Sequence, residues 1–218
     1  MSLNLATLTA PTSAVAEAYR RLRVNLMSAD NEQRLCAILV AAAGPSKDKP
    51  QVVANLAVAY AKVGKRVIVV DCDLRHPAQH MLFDVPATHG VTTAVNDEQA
   101  DLPLQATEVP GLMVLPAGPK VDVPSDVLAS PAMARLARRL VGEADVVLFD
   151  APPVTVATDA AELARIVDGV LLTVAAGVTK RDEAQRAKEL LGQVGARVVG
   201  AALVNVAAEA AVRDYLAA

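Results

Sequence analysis

The sequence predicts an α/β fold of three layers, a mostly parallel central sheet with helices on both faces, and three observations predict it. Short apolar runs alternate with stretches of helical period from about residue 35 to residue 204, the pattern of successive βαβ units. In the runs at 66–70 and 146–149 every residue after Arg66 is apolar, as strands covered on both faces require. Each of these two runs closes on an aspartate, Asp71 and Asp150, at the strand end where open α/β sheets place their ligands.

The 218 residues suit one domain with a sizeable core. Hydrophobic residues make up 53% of the chain but aromatic residues only 2%, so that core is aliphatic. A net charge of −3 argues against a nucleic-acid binder, which needs a basic footprint to neutralise phosphates. Cys36 and Cys72 lie in or beside predicted strands without metal-ligand spacing and read as reduced thiols. No apolar run reaches the ~18 residues of a membrane span.

The domain divides into an arm (1–11), an N-terminal helix (12–29), an α/β core (34–206) and a tail (207–218). Thr12 or Ser13 is placed to cap the first helix, with Val15, Tyr19, Leu22 and Leu26 on one face and Glu17, Arg20, Arg21 and Arg23 on the other. A strand at 35–41 leads through a loop to a helix from about Pro50 to Val63, with Pro50 in its first turn and Gly64 at its stop. The strand at 66–70 runs into Asp71-Cys72-Asp73-Leu74-Arg75.

Residues 76–111 are weakly patterned, and His76, His80 and His89 read as surface or loop residues. A short strand follows at 112–115. Ser125 or Ser130 begins the next helices, and 131–141 is amphipathic with Arg135, Arg138 and Arg139 outside. After the strand at 146–149 come a helix at 158–167, a strand at 169–174, a helix at 179–194 and a last strand at 197–204 that ends at Asn205. The tail reads as a short helix with one tyrosine, Tyr215.

The loop at 43–50 is the chemically informative stretch. A P-loop reads G-x-x-x-x-G-K-[ST] between a strand and a helix: glycine lets backbone N–H groups wrap phosphate, lysine adds charge and the hydroxyl holds Mg²⁺. With Lys49 as that lysine, Ala43 and Asp48 stand at the glycine positions and Pro50 at the hydroxyl position. Asp48 puts a carboxylate where phosphate belongs and resists the positive φ such loops often use. Pro50 offers neither N–H nor hydroxyl and disfavours a helical Lys49. At roughly 1.5–3 kcal/mol per charge-assisted hydrogen bond, two or three losses remove most of the roughly 8 kcal/mol of a micromolar site. On this window alone, a strand-loop-helix that never handled phosphate is as good a reading.

Several stretches in this order resemble the cytoplasmic domain of bacterial tyrosine kinases, the BY-kinase group of capsule and exopolysaccharide synthesis, with its P-loop NTPase-like sandwich. They are Glu17-Ala-Tyr-Arg20-Arg-Leu-Arg23, VIVVDCDLRHP at 67–77, LPAGP at 115–119 with PSDVLAS after it, VLFDAPPV at 147–154 and TDAAELARIVDGVLLTV at 158–174. The resemblance covers about residues 13–206. It implies ATP and Mg²⁺ as cofactors, with Lys49, Asp71, Asp73 and Asp150 catalytic and Asp71 and Asp150 toward the metal. Gly44, Pro45, Ser46, Lys47, Asp48, Lys49, Pro50, Gln51 and Asn205 would line the nucleotide. Glu17, Arg20 and Arg23 would pair subunits in a ring, and Tyr215 is the candidate phosphosite.

The departures are Asp48-Lys49-Pro50 where the family keeps Gly-Lys-Ser/Thr, and one tyrosine where it has a C-terminal cluster. The resemblance thus implies a degenerate kinase domain that oligomerises and regulates polysaccharide synthesis with a transmembrane co-polymerase, at the inner face of the membrane. The competing readings are a working autokinase and a partition ATPase of the MinD/ParA group. The latter opens its loop with Lys-Gly-Gly, where this chain has Ala42-Ala43-Gly44.

Overall fold

The computed structural model describes residues 5–30 and 35–207. In chain order the elements are α1 (Ala6–Thr9), α2 (Ala14–Asp30), β1 (Ala37–Ala42), α3 (Lys49–Ala61), β2 (Val67–Asp71), α4 (Gln79–Leu82), α5 (Val91–Asn96), β3 (Gln105–Ala106), β4 (Leu112–Leu115), α6 (Pro124–Leu128), α7 (Pro131–Glu143), β5 (Val146–Ala151), α8 (Asp159–Ala164), β6 (Gly169–Ala175), α9 (Arg181–Gln193) and β7 (Val198–Val204). The strands form one sheet in the order β3-β4-β2-β5-β1-β6-β7. All pairings are parallel except that of the short edge strand β3 with β4. The expected α/β sandwich is therefore the fold.

Strand geometry sends successive side chains of β1 to opposite faces. Ala37, Leu39 and Ala41 join one core with Leu128, Met133, Leu136, Leu140, Leu163 and Leu191 from α6 to α9. Ile38 and Val40 join another with Leu5, Leu26, Val52, Leu56, Tyr60 and Phe83 from the α1–α4 side. Each large aliphatic side chain buried this way contributes about 1.5–3 kcal/mol, which is how a chain poor in aromatics holds its sheet.

Element boundaries follow local chemistry. Ser13 Oγ, not Thr12, caps α2 by accepting the Ala16 N–H at 3.2 Å. Ser130 caps α7 through the Met133 N–H at 3.1 Å, whereas Ser125 lies inside α6. Helix α3 starts at Lys49, one residue before Pro50, and stops before Gly64, whose φ of +80° favours glycine. Helix α8 ends at Ala164, short of the expected 167, and Asp168 is spent on β1: its Oδ2 accepts the N–H groups of Cys36 and Ala37 at 2.8 and 2.7 Å.

Residues 5–9, part of the expected arm, are docked rather than free. Leu5 is fully buried, and Asn55 Oδ1 of α3 accepts both the N–H and the hydroxyl of Thr7, at 3.0 and 2.9 Å. Lys62 also donates to the Thr7 carbonyl. His76 and His89 are exposed as expected, while His80 is half-buried. Among the described residues neither Cys36 nor Cys72 forms a disulfide. Tyr215 and most of the tail lie outside the described residues. Among the described residues no helix is long and apolar enough to cross a membrane.

Because Asn55 serves two donors of Thr7, Asn55→Ala is expected to cost about 1–3 kcal/mol in urea unfolding and to speed hydrogen exchange at residues 5–9. Unchanged exchange there would show that α1 is held by other contacts.

Candidate functional site

Strands β2, β5 and β1 are neighbours, so their C-terminal ends bring three sequence-distant stretches to one place. Register pairs Asp71 with Asp150 and Asp150 with Val40, just before the loop at 43–48. Asp73 follows two residues after β2. Lys49, the first residue of α3, points back into this cluster and is 2% exposed. Its Nζ stands 2.5 Å from Asp150 Oδ1 and 3.1 Å from Asp73 Oδ2, and donates to the Ala151 carbonyl at 2.5 Å.

These contacts fix the charges. Burial opposes the Lys49 ammonium, but the attraction of Asp150 and Asp73, with their hydrogen bonds, outweighs it and holds the pKa above the usual lysine value. Burial lifts Asp150, against the pull of Lys49. Asp71 is raised to about 7 by burial and then by the neighbouring Asp150 charge, with the N–H groups of Gln79 and Ala78 and the Lys49 charge pulling the other way. Those two N–H groups reach Asp71 Oδ2 at 2.9 Å each, while Oδ1 is buried without a hydrogen bond. Burial, then Asp71 and Asp150, also push the Cys72 thiol well up, which leaves it unreactive.

Gln79 is a member of this cluster that the sequence alone did not single out. Fully buried, it donates through Nε2 to Asp150 Oδ2 at 2.7 Å and to the Pro50 carbonyl at 3.1 Å, tying β5 to the first turn of α3. Arg75, in the DLRHP stretch, is a second such residue. It forms a two-point pair with the buried Asp159 of α8, at 2.9 and 3.2 Å. Nothing in the spacing of either residue announces its partner, which lies 71 or 84 positions away.

The loop itself is internally satisfied. Asp48 has φ −90°, a right-handed conformation, so the positive φ expected of its position is not used. Its N–H meets Ser46 Oγ at 3.3 Å, and its carboxylate accepts Asn205 Nδ2 at 2.8 Å. Asn205, at φ +60°, is thus held against the loop by Asp48. Gly44 is buried, Pro45 and Lys47 are exposed, and Gln51 is exposed on α3. On α2, Arg20 pairs with Glu17 at 2.6 Å and caps the Pro11 carbonyl at 2.8 Å, while Arg23 is half-buried.

The donor set does not fit a divalent ion. Pro50 has no hydroxyl, one oxygen of Asp150 faces the Lys49 ammonium and the other takes Gln79, and no group of three or more acidic, Cys or His side chains among the described residues is arranged to hold a metal. Lys49 is itself the cation between the carboxylates.

Comparison with known proteins agrees with this architecture. The tyrosine-protein kinase YwqD of Bacillus subtilis strain 168 is 33% identical over 202 residues, 92% of this chain and 85% of the relative. The kinase domain of the Escherichia coli tyrosine kinase ETK superposes with TM-score 0.90 at 28% identity, over 96% of this chain and 83% of that one. The septum site-determining protein MinD complexed with Mg-ADP, from Pyrococcus horikoshii OT3, shares the fold alone, with TM-score 0.64 at 20% identity over 78% and 70% of the two chains. No protein-family model matches the chain.

Two outcomes follow from the buried charges. Lys49→Met leaves Asp150 without its cation and is expected to cost about 3–5 kcal/mol in denaturant unfolding, with part recovered by adding Asp150→Asn. For Asp71, the folded pKa lies above the unfolded value near 4. The folded chain therefore keeps a proton that the unfolded chain releases between about pH 4 and 7. This contribution to stability is full below about pH 4 and lost as pH rises toward 7. Asp71→Asn is expected to flatten that decline, and an unchanged pH profile would place the titration elsewhere.

Proposed function

The chain belongs to the bacterial tyrosine-kinase family, and from that premise we propose that it is a catalytically disabled member that regulates capsular or exopolysaccharide synthesis and chain length by assembling with itself and with a membrane co-polymerase. The observation that carries this reading is the engagement of Lys49. A lysine clamped between Asp150 and Asp73 in a buried site must break a well-paired ion cluster before it can meet phosphate. Pro50 returns neither an N–H nor a hydroxyl, and Asp48 adds a carboxylate at the loop end.

Assembly is then the output that remains to the domain. The Glu17, Arg20 and Arg23 motif supports this, as do the apolar residues Val15, Val24 and Met27, exposed on the same helix by 52%, 50% and 37%. The domain would work at the inner face of the cell membrane, where the co-polymerase sits. A working autokinase is the second reading. It is favoured by the convergence of Asp71, Asp73 and Asp150 and by the Asp71 pKa near 7, in the range a general base uses. Tyr215 would then be its candidate acceptor.

Calorimetric titration with ADP and with ATP, each with Mg²⁺, is expected to give no binding heat for the natural chain and micromolar binding for the Asp48→Gly, Pro50→Ser double variant. Micromolar binding by the natural chain, or phosphotyrosine formed on a supplied tyrosine-bearing peptide, would move the autokinase to first place. Light scattering tests the assembly arm: Glu17→Ala should reduce the oligomer mass, and a natural chain that stays monomeric at high concentration would overturn it.

A further inference from the structure

The loop has one more neighbour, and it comes from outside the motif. Gly44 is buried, and a Cβ built on it would lie 2.1 Å from Oε1, 2.2 Å from Cδ and 2.6 Å from Oε2 of Glu183. The three atoms of the carboxylate, rather than the aliphatic stem, therefore rest on the Cα face of the loop. We propose that Glu183 is a built-in anion that closes the loop from α9, an autoinhibitory contact that rejects phosphate independently of Asp48 and Pro50. This rests on the reading of the loop given above and adds a barrier that repairing the motif would leave in place.

The topology makes the contact reproducible. Strand β6 pairs with β1 as far as Ala42 and Thr173, and the Ala43 N–H donates to the Thr173 carbonyl at 2.9 Å. The chain leaving β6 thus delivers the first turn of α9, Asp182 and Glu183 included, to the side of the loop. An acid in that turn is favoured by the helix dipole. Among the described residues Glu183 makes no hydrogen bond or ion pair, so its charge is not neutralised by a fixed partner. Of the two loop lysines, Lys49 is committed to Asp150 and Asp73. An approaching phosphate therefore meets Asp48 at one end of the loop and Glu183 at the other.

Only a residue without a side chain leaves room for this carboxylate at position 44. The contact is also releasable, since Glu183 reaches Gly44 with the far end of a flexible side chain. A shift of α9 or a turn of that side chain would uncover the loop, which makes α9 the element through which a binding partner could control access.

The test is isothermal titration of the natural chain and of the Asp48→Gly, Pro50→Ser variant with ADP and with inorganic pyrophosphate. Each is compared with and without Glu183→Ala or Glu183→Gln. Removing the Glu183 charge is expected to tighten binding at least about tenfold in the repaired background, and Glu183→Ala should raise hydrogen exchange at residues 43–48 of the natural chain. Asp182→Ala, a charge lost from the same helical turn, should do neither. Affinity of the repaired variant that is equal with and without Glu183, unchanged exchange, or the same gain from Asp182→Ala would overturn the proposal and leave the reading of the loop standing, whereas no binding by the repaired variant even without Glu183 would overturn both. Micromolar ADP binding by the natural chain would instead overturn that reading, and the Glu183 comparison within that chain would then decide the contact by itself.

Discussion

A single buried ammonium, that of Lys49, holds the functional end of this molecule together. Taking an amine and two carboxylates out of water is expensive, and only close pairing compensates it. Lys49 meets that condition with Asp150, Asp73 and the Ala151 carbonyl. The arrangement fixes where α3 begins, because its first residue must point back toward β5. It also fixes the loop, whose two ends are set by β1 and by that lysine. Gln79 completes the tie by bridging Asp150 and the Pro50 carbonyl.

With Lys49 supplying one positive charge to three carboxylates, the surplus negative charge must be relieved, and Asp71 relieves it by holding its proton to about pH 7. The site is therefore balanced without a ligand. In a binding site waiting for Mg-nucleotide, the polar groups of the loop would be left for phosphate. Here Asp48 is bonded to Asn205, Ser46 to the Asp48 N–H, and Gly44 is covered by Glu183. Each of these contacts is modest alone. Together they give the polar groups of the loop partners within the chain.

Away from this end the structure is an ordinary consequence of aliphatic packing. The sheet is covered on one face by α6 to α9 and on the other by α1 to α4. Helix α2 lies over α3, close enough that Tyr19, first through burial and then through the Asp48 charge, is pushed up to about 12. The helix that carries Glu17, Arg20 and Arg23 is thus packed beside the loop.

The sequence by itself determined the layered α/β fold, the parallel order of strand and helix, and the arrival of Asp71, Asp73 and Asp150 at strand ends. These follow from hydrophobic period and from short-range rules, and both act over a few residues. It also determined that Pro50 lacks a hydroxyl, a matter of chemical identity alone. Only the tertiary structure decided what the site residues touch. Lys49 meets Asp73 across 24 positions and Ala151 across 102, and Asn205 meets Asp48 across 157. Neither Gln79, nor Glu183, nor the docking of α1 through Asn55 leaves a periodic trace, because each depends on one side chain reaching a distant segment. Local pattern fixes which elements form. The partners of a buried polar group are fixed by which of those elements the sheet order places side by side.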